Sequence, residues 1–346
     1  MSDPTARLPH ALGGPLGRGT IKLTPEDFVV EEVLGFDLSG DGEHVCLQIE
    51  KRGENTDYVA RQLARFAGIP IRNVSYAGLK DRHGRTVQWF SLHLPGQAGP
   101  DWTALNSDTI RVLDVTRNAR KLRKGAARGN RFILTLRDLT ADPAALETRL
   151  AAIAQRGVPN YFGPQRFGHD GQNIEQARRL FAEPGRRIDP HKRGLYLSAA
   201  RSEIFNRILG ERVSAGHWDR AIRGDVFMFS DSRSFFKPDE IDEALLQRVN
   251  DHAIHPSAVL WGQEPSTATD EALQLELRAA NQLEELAQGL AASGMETARR
   301  PLRLCPTDLA WQFIDPGTLE LRFTLPAGAY ATTVLRELVA MDDFHA

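Results

Sequence analysis

A single carboxylate among cations makes residues 75–91 a candidate for nucleophilic chemistry. Asp81 is the carboxylate, and the basic side chains within four residues of it are Lys80, Arg82, His83 and Arg85. Because nearby positive charge lowers the pKa of a carboxylate, Asp81 is predicted to stay ionised and to act as a nucleophile rather than as an acid. A turn aspartate that makes only local hydrogen bonds is the alternative, and this segment alone leaves it open.

A second basic segment lies between residues 111 and 137. It carries nine Lys and Arg residues against one acid, Asp114. Its densest part contains Arg120, Lys121, Arg123 and Lys124. Clustered cations bind nucleic-acid phosphates and release counterions. A solvated surface loop is the alternative, but the excess of cations favours contact with nucleic acid.

Composition limits the classes of protein to which the chain can belong. With 346 residues and 41% hydrophobic content, it is long enough for two domains. The net charge is −2, so a nucleic-acid surface must be a local patch. The cysteines, Cys46 and Cys305, indicate a reducing compartment without a disulfide framework. Because the sequence shows neither a bilayer-spanning apolar run nor a signal-peptide pattern, we expect a cytoplasmic protein.

Several motifs of cofactor and hydrolase chemistry do not occur in the sequence. It has no glycine-rich nucleotide loop, no Gly-x-Ser-x-Gly motif and no histidine spacing typical of a metal site. These absences argue against a bound dinucleotide, an ATP-driven reaction and serine-hydrolase chemistry. They are compatible with a cofactor-free enzyme, and we predict no metal site.

The elements around Asp81 must place it in a connecting loop. Residues 74–77 and 86–94 are strand-like and flank it, and functional side chains commonly lie in such loops. A helix is predicted to begin at Asn55 or Thr56, either of which can cap it.

Other segments of the first half are predicted to build a sheet. Residues 28–34 and 43–50 alternate like the two strands of a β-hairpin. Phe28 and Phe132 each occupy an apolar position in a strand, which predicts core side chains. Lys22, taken alone, is typical of an exposed lysine.

The pattern along the chain is β-rich, then helical, then β-rich again. Residues 157–304 are predicted to be mainly helical, whereas residues 311–325 return to strand alternation. This order predicts an α+β domain interrupted by an inserted, mostly helical domain. The first 20 residues are predicted to form a loosely packed arm.

Six sequence blocks, in this order, point to a known family. They are Thr24-Pro-Glu-Asp-Phe-Val-Val-Glu31, Tyr76-Ala-Gly-Leu-Lys-Asp-Arg82, Gly129-Asn-Arg-Phe132, Gly157-Val-Pro-Asn-Tyr-Phe-Gly-Pro-Gln-Arg-Phe-Gly168, Leu197-Ser-Ala-Ala-Arg-Ser202 and Leu325-Pro-Ala-Gly-Ala-Tyr-Ala331. With these blocks, which span most of its length, the chain resembles the tRNA pseudouridine synthase D (TruD) family.

The resemblance implies a fold, a domain organisation and a reaction. The fold is a pseudouridine-synthase catalytic core with a mixed, mainly antiparallel sheet, formed by residues 1–156 and 305–346. Residues 157–304 would be the TRUD insertion domain. The reaction is the isomerisation of a tRNA uridine to pseudouridine without cofactor, metal or obligate protein partner. By analogy with bacterial members, the target is position 13 in the D-arm of tRNA-Glu.

The resemblance also assigns roles to individual residues. Asp81 corresponds to the catalytic aspartate. The uridine-binding positions are Phe28, Asn130, Phe132 and Tyr330, the last of which is usually phenylalanine in the family. Basic positions of the pattern are Lys22 and Lys80, either of which would hold Asp81 ionised. The clustering of charge, independently of the resemblance, predicts further RNA contacts from Arg82, Arg85, Arg120, Lys121, Arg123 and Lys124.

Some alternatives remain open at this point. Asp81 could promote cleavage of the N1–C1′ bond by attacking the sugar, by attacking the base or by abstracting a proton from the sugar. The chain could also be a noncatalytic RNA-binding or RNA-folding protein. A glycosidase-type hydrolase is a third alternative, although it normally needs two facing carboxylates.

Overall fold

The computed structural model describes residues 4–183, 185 and 187–343, and their contacts divide into two compact units. The first, called the sheet unit, contains residues 16–147, 306–328 and 339–343. The second, called the helical unit, contains residues 4–15, 148–305 and 329–338. Among the helices of the described residues, none is both long and apolar enough to span a bilayer.

The strands and helices alternate along the chain. The strands are β1 (Arg18–Ile21), β2 (Phe28–Val33), β3 (His44–Arg52), β4 (Val74–Tyr76), β5 (Arg85–His93), β6 (Ile110–Asn118), β7 (Gly129–Leu136), β8 (Val158–Pro159), β9 (Val226–Phe229), β10 (Phe235–Phe236), β11 (Ile254–Leu260), β12 (Ala298–Pro301), β13 (Arg303–Leu304), β14 (Thr307–Asp315), β15 (Thr318–Pro326) and β16 (Ala340–Asp343). The helices are α1 (Thr56–Phe66), α2 (Pro143–Arg156), α3 (Gln172–Ala182), α4 (Pro190–Ser214), α5 (Glu243–Asn250), α6 (Asp270–Gln282), α7 (Glu284–Ala292) and α8 (Ala331–Leu335).

The main sheet of the sheet unit has the strand order β14-β15-β7-β2-β5-β3-β6, and β4 also pairs with β5. Strands β2 and β5 run parallel, whereas the other pairs of this sheet are antiparallel. The predicted mixed, mainly antiparallel sheet is therefore confirmed. The predicted hairpin between β2 and β3 is wrong, because β5 lies between them. Their connection, residues 34–43, is longer than a tight turn and can pass over a strand.

One face of this sheet carries both the apolar core and the candidate site. Phe28, Val30 and Glu32 of β2 lie opposite residues of β7 in antiparallel register, and residues opposite each other share a face. On β3 and β5 the same face packs against α1 through Val59 and Leu63. The face is therefore apolar under α1 and becomes polar where β2 meets β5.

The helical unit is built around α3, α4, α6 and α7, with Phe205 and Leu209 of α4 fully buried. The mostly helical prediction for residues 157–304 is confirmed. The unit also contains a sheet with the order β10-β9-β11-β12, which the sequence did not reveal. Strand β11 is buried along almost its whole length, so it shows no alternation of polar and apolar residues.

The N-terminal segment is held firmly, so the prediction of a loose arm is wrong for residues 4–20; residues 1–3 lie outside the described residues. The amides of Ala11 and Leu12 both donate to Glu337 Oε2 at 3.1 Å. Arg336 donates to the Leu8 carbonyl at 2.6 Å. Farther along, β1 pairs in parallel with β16. Hydrogen bonds to buried side chains tie down a segment that has little secondary structure of its own.

The compact units need not coincide with functional domains. Contacts place one boundary inside α2, between residues 147 and 148, and another after Cys305. They also assign residues 4–15 and 329–338 to the helical unit. The boundaries predicted after residues 156 and 304 stay predictions.

Candidate active site

Asp81 lies on the loop between β4 and β5, at a gap in the sheet. Strand β2 pairs with the first half of β5, through Val29 and Arg85, whereas β4 pairs with its second half, through Tyr76 and Phe90. The loop leaves β4 next to the second half of β5 and joins β5 at Arg85, where the pairing with β2 begins. The Asp81 side chain is 29% exposed there, so a substrate can reach its carboxylate.

The counter-ion of Asp81 is Lys22. Its Nζ lies 3.0 Å from Asp81 Oδ2, and its side chain is only 7% exposed. The amide of His83 donates to Asp81 Oδ1 at 2.9 Å. Burial raises the pKa of Asp81, but the charge of Lys22 and the amide of His83 oppose it, and the net pKa lies below the usual aspartate value. Asp81 is thus ionised at neutral pH, as predicted.

Lys22 is held in an uncommon conformation. Its φ of 58° lies in the left-handed region, which disfavours side chains other than glycine. Its ammonium also sits 4.8 Å from the centroid of the Phe28 ring, a cation–π distance. Such strain persists where the surroundings fix the residue, commonly at functional sites. The sequence interpretation of Lys22 as an exposed lysine is wrong.

The cations next to Asp81 in sequence have other partners. Lys80 pairs with Glu32, whose side chain is fully buried, at 2.7 Å. Arg82 donates to the Gly53 carbonyl at 3.1 Å, and Arg85 lies 3.6 Å from Glu50. Of the two lysines expected near the carboxylate, the structure brings Lys22 and not Lys80 into contact with it.

Buried polar side chains of β3, β5 and α1 form hydrogen bonds with the backbone of the Asp81 loop. Lys51, which is 0% exposed, donates to the Asp81 carbonyl at 2.8 Å. Gln88 donates to the Gly78 carbonyl at 3.1 Å, and the Thr56 hydroxyl accepts from the Lys80 amide at 3.1 Å. Burial lowers the pKa of Lys51 to about 8. These contacts fix the loop, so that the carboxylate keeps its position.

Sequence reasoning missed the supporting role of these side chains, although a signal exists. Lys51 continues the buried series Val45, Leu47 and Ile49 at every second position of β3. Gln88 continues the same face of β5 ahead of Phe90. A polar side chain at an inward position of a strand needs a hydrogen-bond partner. Its presence in an otherwise apolar series therefore indicates that it supports a neighbouring segment.

Aromatic side chains form a wall on the same sheet face. Phe28 and Phe132 meet edge to face with centroids 6.4 Å apart. Phe132 also stacks on Phe323 of β15 at 5.5 Å. All three are buried, with exposed fractions of 7%, 7% and 1%. The sequence prediction of core positions for Phe28 and Phe132 therefore fits, and an aromatic surface for a base also fits.

Asn130 supplies an unused hydrogen-bond acceptor beside this wall. It precedes Phe132 by two residues in β7, so both share one face. Its Oδ1 is buried, and no described residue donates to it. A buried acceptor without a donor is costly, and a ligand that brings an N–H would relieve this cost.

Tyr330 belongs to the helical unit. Its ring lies edge to face with Phe162 at 6.2 Å, and the guanidinium of Arg166 is 5.9 Å from its centroid. The Tyr330 carbonyl accepts from the Thr333 hydroxyl at 2.6 Å at the start of α8.

The basic segment is anchored next to the Asp81 loop. Four of its exposed cations lie within five residues of one another, namely Arg120, Lys121, Arg123 and Lys124. Between them Leu122 is buried, and its amide donates to the Ser91 hydroxyl at 2.9 Å. The Gly125 amide donates to the Ala77 carbonyl at 2.7 Å, four residues before Asp81. A surface for phosphates is therefore tied to the loop that carries the carboxylate.

The arrangement combines an ionised, accessible carboxylate with a buried aromatic wall and a free amide acceptor. It can hold a planar heterocycle on one side and offer the carboxylate to an electrophilic carbon. Among the described residues, no group of three or more His, Cys, Asp or Glu side chains is arranged to hold a metal ion.

Comparison with known proteins gives concordant matches. The family model of tRNA pseudouridine synthase D (TruD) matches residues 12–176 and 172–338. A tRNA pseudouridine synthase D from Methylococcus capsulatus is 54% identical over 335 residues, covering 97% of this chain and 95% of the relative. One from Pseudomonas putida is 49% identical over 331 residues, covering 96% and 94%. The crystal structure of a putative tRNA pseudouridine synthase D from Methanosarcina mazei superposes with a TM-score of 0.71 at 23% identity, covering 96% and 95%. The last likeness confirms the fold.

Proposed function

The chain belongs to the tRNA pseudouridine synthase D family and is a tRNA pseudouridine synthase, and from this premise we propose that it acts on uridine 13 in the D-arm of tRNA-Glu with Asp81 as the catalytic carboxylate. The observation that carries the proposal is the Lys22–Asp81 ion pair at 3.0 Å beside the aromatic wall. It provides an ionised nucleophile where a base can be held. Action in the cytoplasm is part of the same proposal.

The target uridine has to leave the RNA stack before it can react. Flipping costs roughly a few kcal/mol and is offset by stacking and edge hydrogen bonds in the pocket. Phe28 and Phe132 supply the stacking surface. Asn130 Oδ1 accepts from N3–H of uracil, which is a donor that cytosine lacks at this position. The unpaired acceptor thereby favours uracil over cytosine. Tyr330 is proposed to contribute a further aromatic contact.

Asp81 then promotes cleavage of the N1–C1′ bond. Attack on the sugar, attack on the base and proton abstraction from the sugar all require the ionised carboxylate, which Lys22 maintains. The detached base rotates and rejoins the sugar through C5. The proton on C5 is then lost to solvent and N1 takes up a proton, so the product is an isomer of uridine and no redox partner is needed. The aromatic wall keeps the detached base from leaving.

The first test of this proposal is the Asp81→Asn variant, with Asp239→Asn as the matched control, because Asp239 is exposed and belongs to the helical unit, whereas Asp81 belongs to the sheet unit. We expect Asp81→Asn to bind tRNA-Glu while forming no pseudouridine, measured by tritium release from uridine labelled at C5. The control should match the wild type. Full activity of Asp81→Asn would reject the catalytic assignment.

A second test concerns the position of the modification. A tRNA-Glu transcript with cytidine at position 13 should release no tritium, and primer extension should map pseudouridine to position 13 of the unmodified sequence. Pseudouridine at another position would reject the proposed target and keep the enzyme class. Release of free uracil would favour a hydrolase instead.

A further inference from the structure

Two arginines of the helical unit surround the aromatic pair Phe162 and Tyr330. The guanidinium carbon of Arg300 lies 4.0 Å from the centroid of Phe162. That of Arg166 lies 5.3 Å from the same ring and 5.9 Å from the ring of Tyr330. Two like charges therefore share one aromatic cluster.

The two guanidinium groups are held differently. Arg300 is fixed by Asn160, which accepts from its Nη2 through Oδ1 at 2.6 Å and from its Nε through the carbonyl at 3.1 Å. Arg166 donates through Nη1 to the Ser198 hydroxyl at 2.8 Å. No described residue accepts from the Nε–Nη2 edge of Arg166, and its Nε is buried. This edge is the one that binds carboxylates and phosphates through two parallel hydrogen bonds.

A hydroxyl without a partner lies close by. Thr332 Oγ1 is buried and has no hydrogen-bond partner among the described residues. It faces Gly163, where an added methyl group would come within 2.7 Å of this oxygen and 3.4 Å of Tyr330 Cβ. Gly163 opens the short turn that ends at Arg166, whose amide donates to the Gly163 carbonyl at 3.0 Å.

We propose that Arg166, together with Arg300 and Thr332, binds a phosphate group of the RNA backbone. The proposal rests on the proposed function only for the identity of the RNA, which would be the tRNA substrate. Phosphate oxygens accept from the Nε–Nη2 edge of Arg166 and from the Thr332 hydroxyl. The negative charge also offsets the repulsion between the two arginines.

The electrostatics of Arg300 support this assignment. Burial lowers its pKa to about 9; Tyr330 opposes this effect, and the charge of Arg166 adds to it. A buried cation that a second cation destabilises is favoured by an anion in the same place. Purely structural stacking on Phe162 would leave the Nε–Nη2 edge and the Thr332 hydroxyl without a role.

The test compares Arg166→Met with Arg223→Met. The Arg223 side chain belongs to the same unit but is 83% exposed and pairs with Asp270 at 3.4 Å. In the first arm, thermal unfolding is followed in inorganic phosphate and in chloride at equal ionic strength. Phosphate should stabilise the wild type and Arg223→Met, and this stabilisation should be lost in Arg166→Met.

In the second arm, tRNA binding is measured over a range of KCl concentrations. Arg166→Met should weaken binding roughly 10- to 100-fold and reduce the slope of log affinity against log salt by about 1. Thr332→Val removes a hydroxyl that has no protein partner, so the fold should persist while binding weakens roughly 2- to 10-fold. Thr332→Ser should restore it.

The outcomes separate the alternatives. If Arg166→Met and Thr332→Val leave both the phosphate effect and the salt slope unchanged, the cluster is structural and the proposal is overturned. If only the phosphate effect is lost, the site takes a free anion and the RNA assignment is wrong. Binding is measured without turnover, so failure of the catalytic proposal in Asp81→Asn would show separately.

Discussion

Replacing Lys22 with methionine tests how the carboxylate is kept ionised. At 3.0 Å, two unit charges attract by about 5.5 kcal/mol at an effective dielectric constant of about 20. Because the Asp81 side chain is 29% exposed and keeps its hydrogen bond from the His83 amide, we expect a smaller net loss, roughly 1–3 kcal/mol. Methionine keeps the length of the side chain. The strain at φ 58° applies to both residues and cancels in the comparison.

The expected consequence is a change in the pH dependence of the reaction. Without Lys22, burial raises the pKa of Asp81 against the weaker opposition of the His83 contacts. The acidic limb of kcat/KM against pH should therefore move to higher pH, and activity should recover in mildly alkaline buffer. Asp81→Asn should show no such recovery, whereas Lys22→Arg should resemble the wild type.

Stability should respond with the same sign. A carboxyl whose pKa is lowered in the folded state stabilises the protein above its unfolded pKa and loses this contribution as the pH falls through the folded value. Lys22→Met should thus be less stable than the wild type at pH 7, with a difference that shrinks in acid. Single-turnover rates and urea unfolding at several pH values measure both effects. A variant with the acidic limb of the wild type would refute the assignment of Lys22 as counter-ion.

Three further predictions follow from the site. Asn130→Leu should lower kcat/KM roughly 10- to 100-fold. The free energy of unfolding should stay equal or become slightly higher, because the substitution removes a buried acceptor that has no donor. Marked destabilisation would contradict this expectation. Joint replacement of the four clustered cations of residues 120–124 by alanine should weaken tRNA binding and flatten its salt dependence, and an unchanged slope would reject phosphate contact. These cations are Arg120, Lys121, Arg123 and Lys124. The folded pKa of Lys51 is about 8 and its usual value is 10.5, so the unfolded chain binds more protons than the folded chain between these pH values. The free energy of unfolding of the wild type should therefore increase as the pH rises from about 8 to 10.5. Urea unfolding of Lys51→Met should lack this increase, and a parallel increase in the variant would show that another group causes it.

The sequence was informative where a pattern is local. The helix α1 and the strands on both sides of Asp81 follow from periodicity and appear as predicted. The order of strands does not follow from it, because β5 separates β2 from β3 through pairings between distant residues. The strands of the helical unit were missed for a related reason, since β11 is buried without alternation.

The same limit applies to the candidate site. The charges next to Asp81 in sequence drew attention to it, yet Lys80 pairs with Glu32 and the counter-ion is Lys22. Lys22 is distant in sequence and carries no local signal of its own. Family resemblance supplied Lys22, whereas the role of Lys51 could have been inferred from its inward position in β3. Proximity in sequence does not predict which side chains meet across the sheet.

The pairing of β7 with β15 has a consequence for synthesis on the ribosome. Phe132 stacks on Phe323, although most of the helical unit lies between them in the chain. Asp81, Lys22 and Asn130 therefore emerge early, while the strand that completes the wall emerges near the end. Until then the edge of β7 lacks its partner and is open to wrong pairing. A nascent chain thus carries the proposed catalytic carboxylate before the proposed base-binding wall is complete, and on that proposal competence for the reaction arrives only with the last strands.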